Sequence, residues 1–300
     1  MNTAVIDIGT NTLLLLIVDE NLRRVVDLCR FGRLGKGLDA SGRLATEAVT
    51  KSLDICREYR KVMDEHGVSA PRVIGTQALR EAANAAEFVG PAEQILGAPI
   101  EVIGGAREAE LAFTSVATAF PDLAGTAFVV VDVGGGSTEF IVTDGTKVVS
   151  AVSVPIGAVR MTERHLKSDP PAPAELAALE AEIDQKLAAL NLPRGITVIG
   201  TAGTATTMAA VALGLAPYDP DRVTGFRMTP ADVSELYAKV ARATVAERKA
   251  MAGMEAQRAD VIAGGIAIYA RIAATTGAPA LVTCDRGIRW GLAYEIAGKR

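Results

Sequence analysis

A short glycine-rich stretch of the sequence has a carboxylate at each end. Residues 132–139 read DVGGGSTE, in which Asp132 and Glu139 bracket three glycines and two hydroxyl side chains. Glycines let a phosphate approach the backbone without a Cβ clash, and Mg²⁺ is usually held by one or two carboxylates together with phosphate oxygens. The stretch therefore predicts a phosphate site beside a divalent cation, Mg²⁺ or another, with both carboxylates as cation ligands. The predicted phosphate ligands are Gly134, Gly135, Gly136 and Ser137.

The N-terminal part of the chain resembles this stretch and its flanks. Residues 4–19 (AVIDIGTNTLLLLIVD) align with residues 129–144 (VVVDVGGGSTEFIVTD), and VIGT at 73–76 recurs at 198–201. In both matches the second copy begins 125 residues after the first. Glycine-rich strand ends can look alike by chance, but chance does not explain a shared offset. The sequence therefore predicts an internal duplication.

The first copy of the turn adds polar groups of its own. Asp7 corresponds to Asp132, and Thr10 and Asn11 follow it in the turn DIGTNT. We predict Thr10 and Asn11 as phosphate ligands and Asp7 as a further cation ligand. An ordinary hairpin whose aspartate caps its own turn is the alternative for each copy, and both roles can hold together.

Two further loops combine glycine with threonine. GTAGT at 200–204 follows the strand-like ITVIG and leads into a helical pattern, so its N–H groups and the helix dipole favour an anion. The corresponding GTQALR at 75–80 adds Arg80, which either holds a phosphate through two hydrogen bonds or is a solvated residue early in a helix. The predicted phosphate ligands of the two loops are Gly200, Thr201, Gly203, Thr204 and Arg80.

One helix carries two candidate catalytic acids near its start. Residues 102–113, VIGGAREAELAF, lead from a strand through two glycines to Glu108 and Glu110. Either carboxylate could act as a general base. Acids near a helix N-terminus are also favoured by the helix dipole alone, so the spacing does not choose between a structural and a catalytic role, or between the two glutamates.

Strand-like and helical runs alternate along the chain, which is typical of an α/β fold. Apolar residues at spacings of three and four predict helices over 44–66 and 173–190. Thr229, with Pro230 after it and Asp232 three residues on, predicts a helix start.

The duplication predicts two related α/β domains that flank a cleft. The helical pattern breaks at 121–125 (PDLAG), which gives predicted domains of 1–123 and 124–300. In this division the last helix is free to pack back on the first domain.

The composition excludes several classes of protein. A net charge of −4 gives no general attraction to polyanions, and 4% aromatic residues argue against stacking on nucleic acid, so we expect no DNA partner. The apolar runs are far shorter than a membrane span, so no membrane association is expected. The three cysteines (Cys29, Cys56 and Cys284) are widely separated, which favours a reducing, cytoplasmic location.

Motifs along most of the chain resemble the exopolyphosphatase/guanosine pentaphosphate phosphohydrolase (Ppx/GppA) family, in a short two-domain form. DVGGGSTE followed by PIGAVR is the most specific part of this resemblance. The full set is DIGTNT (7–12), RLGKGLDASGRL (33–44), GTQALREAAN (75–84), VIGGAREAELAF (102–113), DVGGGSTE (132–139), SVPIGAVRMTE (153–163), GTAGT (200–204), RADVIAGG (258–265) and GIRWGL (287–292).

The resemblance implies a fold and assigns roles to residues. It implies two duplicated actin/sugar-kinase/Hsp70-like (ribonuclease H-like) domains. Glu108 matches the family's catalytic glutamate, whereas Glu110 falls where other residues are tolerated. Asp132 and Glu139 match carboxylates that position the metal and the attacking water. Trp290 departs from the pattern, because an acid is common at this place in the final Arg-x-Gly motif.

The resemblance also implies an activity. It implies hydrolysis of the terminal phosphoanhydride of inorganic polyphosphate with Mg²⁺, by a cytoplasmic homodimer connected with the stringent response. Hydrolysis of guanosine pentaphosphate is the alternative within the same class. Outside that class, the candidates are a small-molecule kinase and a non-catalytic sensor of polyphosphate or nucleotide.

Overall fold

The chain forms two compact units, each with its own sheet and core. The computed structural model describes residues 2–298. The first unit comprises the residues up to Ser115 and those from Ile288 onward, and the second comprises Val116–Gly287. The predicted domains, 1–123 and 124–300, are defined by duplication rather than by packing, and they stay a prediction.

The first part of the chain alternates between strands and helices. Its elements are β1 (Thr3–Ile8), β2 (Leu13–Val18), β3 (Arg24–Arg30), α1 (Leu38–Ser41), α2 (Thr46–Glu65), β4 (Arg72–Gly75), α3 (Gln77–Glu81), α4 (Ala86–Leu96), β5 (Ile100–Val102) and α5 (Gly105–Ala119). The limit of the first unit falls inside α5, after Ser115.

The second part begins with the same sequence of elements. They are β6 (Phe128–Val133), β7 (Thr138–Thr143), β8 (Val148–Val154), α6 (Ala158–His165), α7 (Pro173–Ala188), β9 (Val198–Thr201), α8 (Ala202–Leu213), α9 (Pro220–Val223), β10 (Arg227–Met228), α10 (Pro230–Arg242), α11 (Val245–Ala250), α12 (Ile262–Thr276) and β11 (Leu281–Thr283). Short 3₁₀ helices span Pro121–Leu123 and Ala256–Arg258. The last helix, α13 (Ile288–Ile296), belongs to the first unit.

The two sheets share the arrangement of their first four strands, and within the described residues the second sheet has six strands where the first has five. Among residues 2–298, the strand orders are β3-β2-β1-β4-β5 and β8-β7-β6-β9-β11-β10. In each sheet the first three strands along the chain pair antiparallel, and the next strand joins parallel to the first. The starts of β1 and β6 (Thr3 and Phe128) and of β2 and β7 (Leu13 and Thr138) are each 125 residues apart. This is a duplicated α/β architecture, and the predicted fold class of two related α/β domains is confirmed.

Helices cover the sheets with apolar stripes. In α2 the buried Cys56, Tyr59 and Met63 recur at spacings of three and four, as the predicted helix over 44–66 requires. In α7 the buried Leu179 and Ile183 continue such a stripe, and the helix matches the predicted span of 173–190 closely. These stripes bury the central strands, so the turns that join the strands are held by rigid elements.

The predicted start of α10 is confirmed in detail. The Thr229 side chain accepts a hydrogen bond from the backbone N–H of Asp232, and the Asp232 carboxylate accepts one from the Thr229 N–H. This reciprocal cap satisfies two N–H groups that the helix leaves unpaired. Separately, none of the helices within residues 2–298 combines the length and the apolar character that crossing a membrane needs.

Candidate phosphate-binding and catalytic site

The glycine turn of the second unit joins two neighbouring strands and places two carboxylates on one face. Gly134 N donates to Ser137 O at 3.0 Å, which closes the turn between β6 and β7. Asp132 and Glu139 are directly opposite each other in the antiparallel ladder, so their side chains leave the sheet on the same side. Like charges in such a pair repel, and they require hydrogen-bond donors or a cation.

Hydroxyl groups donate to both of these carboxylates. Thr201 Oγ1 donates to Asp132 Oδ2 at 2.9 Å. Ser137 Oγ and Ser153 Oγ each donate to Glu139 Oε1 at 2.7 Å. The structure thus brings together predicted residues of the glycine turn and of the second Gly-Thr loop.

The same oxygen atoms fit a magnesium ion. Carboxylate and hydroxyl oxygens are the hard ligands that Mg²⁺ prefers, and Asp132 and Glu139 lie on one face. Within residues 2–298 no three His, Cys, Asp or Glu side chains form a metal-binding group. A cation held here would therefore take further oxygens from phosphate and water, which is how Mg²⁺ is usually bound.

The start of α6 forms hydrogen bonds with the glycine turn. Ala158 N donates to Gly134 O at 2.9 Å and Val159 N to Gly135 O at 2.8 Å, both from the start of α6. Arg160 Nε donates to Gly136 O at 2.8 Å. A Cβ on Gly157 would lie only 2.6 Å from Gly135 C and O, so the close approach of the two backbones depends on this glycine.

The second Gly-Thr loop connects β9 to α8 and is covered by an arginine. A Cβ on Gly203 would lie 1.9 Å from Arg258 Nη1, so the guanidinium rests on this glycine at the start of the helix. Ala202 has φ +60°, which is the left-handed region that non-glycine residues rarely adopt. Helix N-termini favour anions, and here the Arg258 guanidinium lies beside the N-terminus of α8.

The structure also shows where the other predicted residues of this loop lie. Thr201 and Thr204 are buried, and the Thr204 hydroxyl donates to Val133 O at 3.2 Å. Their hydroxyl protons are thus donated inside the protein, to Asp132 and to β6. Gly200 packs against the buried Tyr269, whose hydroxyl lies 3.0 Å from where a Gly200 Cβ would be.

The turn of the first unit repeats the turn of the second. Gly9 N donates to Thr12 O at 2.9 Å, as Gly134 N does to Ser137 O. Behind it, Gly35 N donates to Thr10 O at 2.8 Å. The equivalent bond in the second unit, from Arg160 N to Gly135 O, joins residues 125 positions further along. Three predicted ligands of this turn are largely buried: Asp7, Thr10 and Asn11.

The two candidate acids of α5 have different surroundings. Glu108 is 7% exposed and pairs with Arg80, whose Nη1 also donates to Ile103 O at 2.6 Å. Burial raises the pKa of Glu108 above its ordinary value, and the positive charge of Arg80 opposes that rise. Glu110 has a largely exposed side chain, 3.3 Å from Arg107. Glu108 is therefore a buried carboxylate with a shifted pKa, as functional carboxylates often are, whereas Glu110 is a surface residue.

The sequence prediction did not include Arg258, Arg160 or Ser153. Arg258 lies in RADVIAGG, which contributed to the family resemblance without any of its residues being singled out. Ser153 is opposite Glu139 in the ladder between β7 and β8, a pairing that strand register alone determines. These three residues are identified by their contacts with segments that are distant in the sequence, and such contacts are not visible in the sequence itself.

The fold and these loops together define a class of protein. Phosphoryl transfer needs groups that position phosphate and groups that neutralise charge. The two duplicated α/β units supply matching glycine turns, carboxylates beside one turn and a buried Glu–Arg pair. The chain belongs to the Ppx/GppA phosphatase family, whose profile matches residues 16–300. The predicted family and the predicted class, a phosphoanhydride hydrolase, are confirmed.

Known relatives match nearly the whole chain. It is 35% identical to exopolyphosphatase 2 of Mycobacterium tuberculosis (strain ATCC 25618 / H37Rv) over 98% of both proteins. It is 28% identical to a guanosine-5'-triphosphate,3'-diphosphate pyrophosphatase of Vibrio cholerae, of which it spans 59%. The crystal structure of the Aquifex aeolicus family member superposes with a TM-score of 0.82 at 31% identity, covering 100% of this chain and 98% of that one.

Proposed function

We propose that the protein is an exopolyphosphatase, which hydrolyses the terminal phosphoanhydride of inorganic polyphosphate and releases orthophosphate. The observation that carries this proposal is the buried pair of Glu108 and Arg80. A hydrolase needs a base for water, and a carboxylate whose pKa is raised by burial is suited to that task near neutral pH. The similarity to a protein named exopolyphosphatase 2 over the full chain supports the same substrate.

The proposed roles follow from the chemistry of each group. Glu108 accepts the proton of the attacking water at its carboxylate, while Arg80 keeps that carboxylate oriented and able to ionise. Phosphoryl transfer needs positioning and charge neutralisation more than covalent chemistry. In each unit the backbone N–H groups of the glycine turn and of the Gly-Thr loop are the proposed phosphate ligands, and Arg258 adds a positive charge at the Gly-Thr loop of the second unit.

The carboxylates have a separate role in the proposal. Asp132 and Glu139 would hold a Mg²⁺ ion, and hydroxyl donors keep both carboxylates oriented. Asp7, the counterpart of Asp132 in the first unit, is the proposed cation ligand of that unit. When bound, Mg²⁺ supplies charge neutralisation for the phosphoryl oxygens. Ser137 and Ser153 also stabilise the Glu139 carboxylate against its neighbour Asp132.

Guanosine pentaphosphate is the second candidate substrate, since the chain is 28% identical to the Vibrio cholerae pyrophosphatase. Both substrates present a terminal phosphoanhydride to the same groups. A kinase would require an acceptor other than water, and a sensor would release no phosphate. Glu108 argues against a sensor, because binding alone needs no buried base. A kinase also uses a base, for the hydroxyl of its acceptor, so phosphate release without an acceptor is what separates it from a hydrolase.

One experiment separates these candidates. Phosphate release is measured with long-chain polyphosphate and with guanosine pentaphosphate, each without any acceptor, in Mg²⁺ and after chelation. We expect release from polyphosphate with the higher kcat/KM, and loss of the activity on chelation. A higher kcat/KM on guanosine pentaphosphate would transfer the proposal to that substrate, and the absence of release from both would overturn the hydrolase assignment.

We also propose a homodimer in a reducing, cytoplasmic setting. Cys56 and Cys284 are buried thiols, and burial raises the pKa of each to about 12. Such thiols are inert and suit a reducing compartment. Light scattering of the purified protein should give twice the chain mass, and the mass of a single chain would contradict the dimer.

A further inference from the structure

The last helix meets the helix of Glu108 with no side chain between their backbones. A Cβ built on Gly291 of α13 would lie 2.0 Å from Leu111 O and 2.7 Å from Leu111 C of α5. Real Cβ atoms almost never approach closer than 3.0 Å, and a helix backbone cannot move aside as a flexible side chain can. Any residue larger than glycine at 291 must therefore separate the two helices by about 1 Å at this point.

Several contacts hold α13 firmly in the first unit. The buried Arg289 places Nη2 3.0 and 3.1 Å from the two carboxylate oxygens of Asp27 on β3. Trp290 and Tyr294 are buried, with ring centroids 5.8 Å apart, and the helix packs against β1 and β2. Because α13 is anchored in this way, a forced separation would move α5 rather than α13.

A second contact joins the same two helices one turn away. Arg107 Nη2 lies 2.6 Å from Glu295 Oε1. Arg107 is adjacent to Glu108, and Glu295 is one helical turn beyond Gly291. The backbone contact and this ion pair therefore fix α5 close to Glu108 on both sides of the crossing.

Leu111 is three residues from Glu108 and so on the same side of α5. A displacement of the Leu111 backbone is transmitted through the hydrogen-bonded turn to Glu108 and changes its position relative to Arg80. We propose that α13 sets the position of Glu108. Gly291 is the positioning residue, because its lack of a side chain allows α5 to pack close enough to α13 to hold Glu108 beside Arg80. This inference rests on the proposed role of Glu108 as the base.

The test compares Gly291→Ala with two matched glycine substitutions in the full chain. Gly287→Ala and Gly90→Ala serve as controls, because a Cβ at either position would meet nothing within 4 Å. For Gly291→Ala we expect a fall in kcat of roughly 10- to 100-fold with KM within about threefold, since a misplacement of about 1 Å at a catalytic group costs that order of rate. Both controls should keep kcat within about twofold, as surface changes without contacts usually do.

A pH profile distinguishes displacement of Glu108 from general loss of structure. Arg80 is the charged group that lowers the pKa of Glu108, so moving the carboxylate away should raise the pH at which kcat/KM falls on the acid side. Loss of folded protein alone would lower kcat without shifting the pH at which kcat/KM falls on the acid side. A folded Gly291→Ala variant with wild-type kcat, or with a change in KM alone, would overturn the inference.

The ion pair gives an independent test if Gly291→Ala does not fold. Arg107→Gln and Glu295→Gln should each lower kcat by roughly two- to fivefold, and the double variant should be no worse than either single one, because both remove the same contact. Unchanged kcat in all three, or losses that simply multiply, would contradict the role of α13. Failure of the proposed function looks different: wild type would release no phosphate, or Glu108→Gln would remain active.

Discussion

Replacing Gly157 by alanine should disturb the glycine turn of the second unit without straining the backbone at the substituted position. Gly157 has φ −146° and ψ 163°, an extended conformation that alanine adopts freely. The added Cβ would lie 2.6 Å from Gly135 C and O and from Gly136 C, whereas ordinary contacts begin at 3.4 Å. The peptide between Gly135 and Gly136 must therefore move, and a shift of about 0.8 Å, the difference between these distances, restores ordinary contact.

The displacement has consequences for stability and for activity. Overpacking of this kind costs about 1–3 kcal/mol of the free energy of unfolding. A shift of nearly 1 Å in the phosphate-binding turn should lower kcat/KM for phosphate release by roughly 10- to 100-fold. The larger effect is on activity because the displaced atoms belong to the turn itself.

The measurement needs both quantities on the same protein samples. Urea denaturation gives the free energy of unfolding, and initial rates with polyphosphate give kcat/KM. Gly287→Ala is the control, since nothing lies within 4 Å of its added Cβ. If Gly157→Ala is destabilised but keeps kcat/KM within twofold of wild type, the glycine turn is not where the reacting phosphate binds.

Three further predictions concern the charged groups of the site. Arg80→Gln removes the charge that lowers the pKa of Glu108, so the acid limb of the pH profile of kcat/KM should move to higher pH; an unmoved limb would contradict this. Gly203→Ala displaces the flexible end of Arg258, so KM for polyphosphate should rise about fivefold while the unfolding free energy changes by less than about 1 kcal/mol; an unchanged KM would remove Arg258 from the site. Glu139→Gln should raise the Mg²⁺ concentration for half-maximal activity about tenfold or more in a metal titration, and an unshifted titration would exclude this carboxylate as a ligand.

The duplicated turns could be predicted because they depend on local sequence. Apolar runs on either side of glycines and small hydroxyl residues define strand, turn and strand wherever they occur, and the shared offset reveals the repeat. The structure reproduces that offset at the starts of β1 and β6 and again at the starts of β2 and β7. The predicted helices over 44–66 and 173–190 follow equally local patterns, and they are confirmed.

The contacts within the candidate site could not be predicted in the same way. Thr201 was predicted as a phosphate ligand, but its hydroxyl proton goes to Asp132, because the register of β9 against β6 places the two side by side. The pairing of Glu108 with Arg80 joins positions 28 residues apart, and no periodicity indicates it. The assignment of phosphate and metal ligands among these residues stays a prediction.

The most direct test of the central claim is the rate of phosphate release from polyphosphate by Glu108→Gln. Glutamine fills the same space and can still contact Arg80, but it cannot accept the proton of the attacking water. If Glu108 is the base, kcat should fall by roughly 10²- to 10⁴-fold while the variant stays folded and binds polyphosphate with unchanged affinity. A folded variant that releases phosphate within threefold of the wild-type rate would contradict the account.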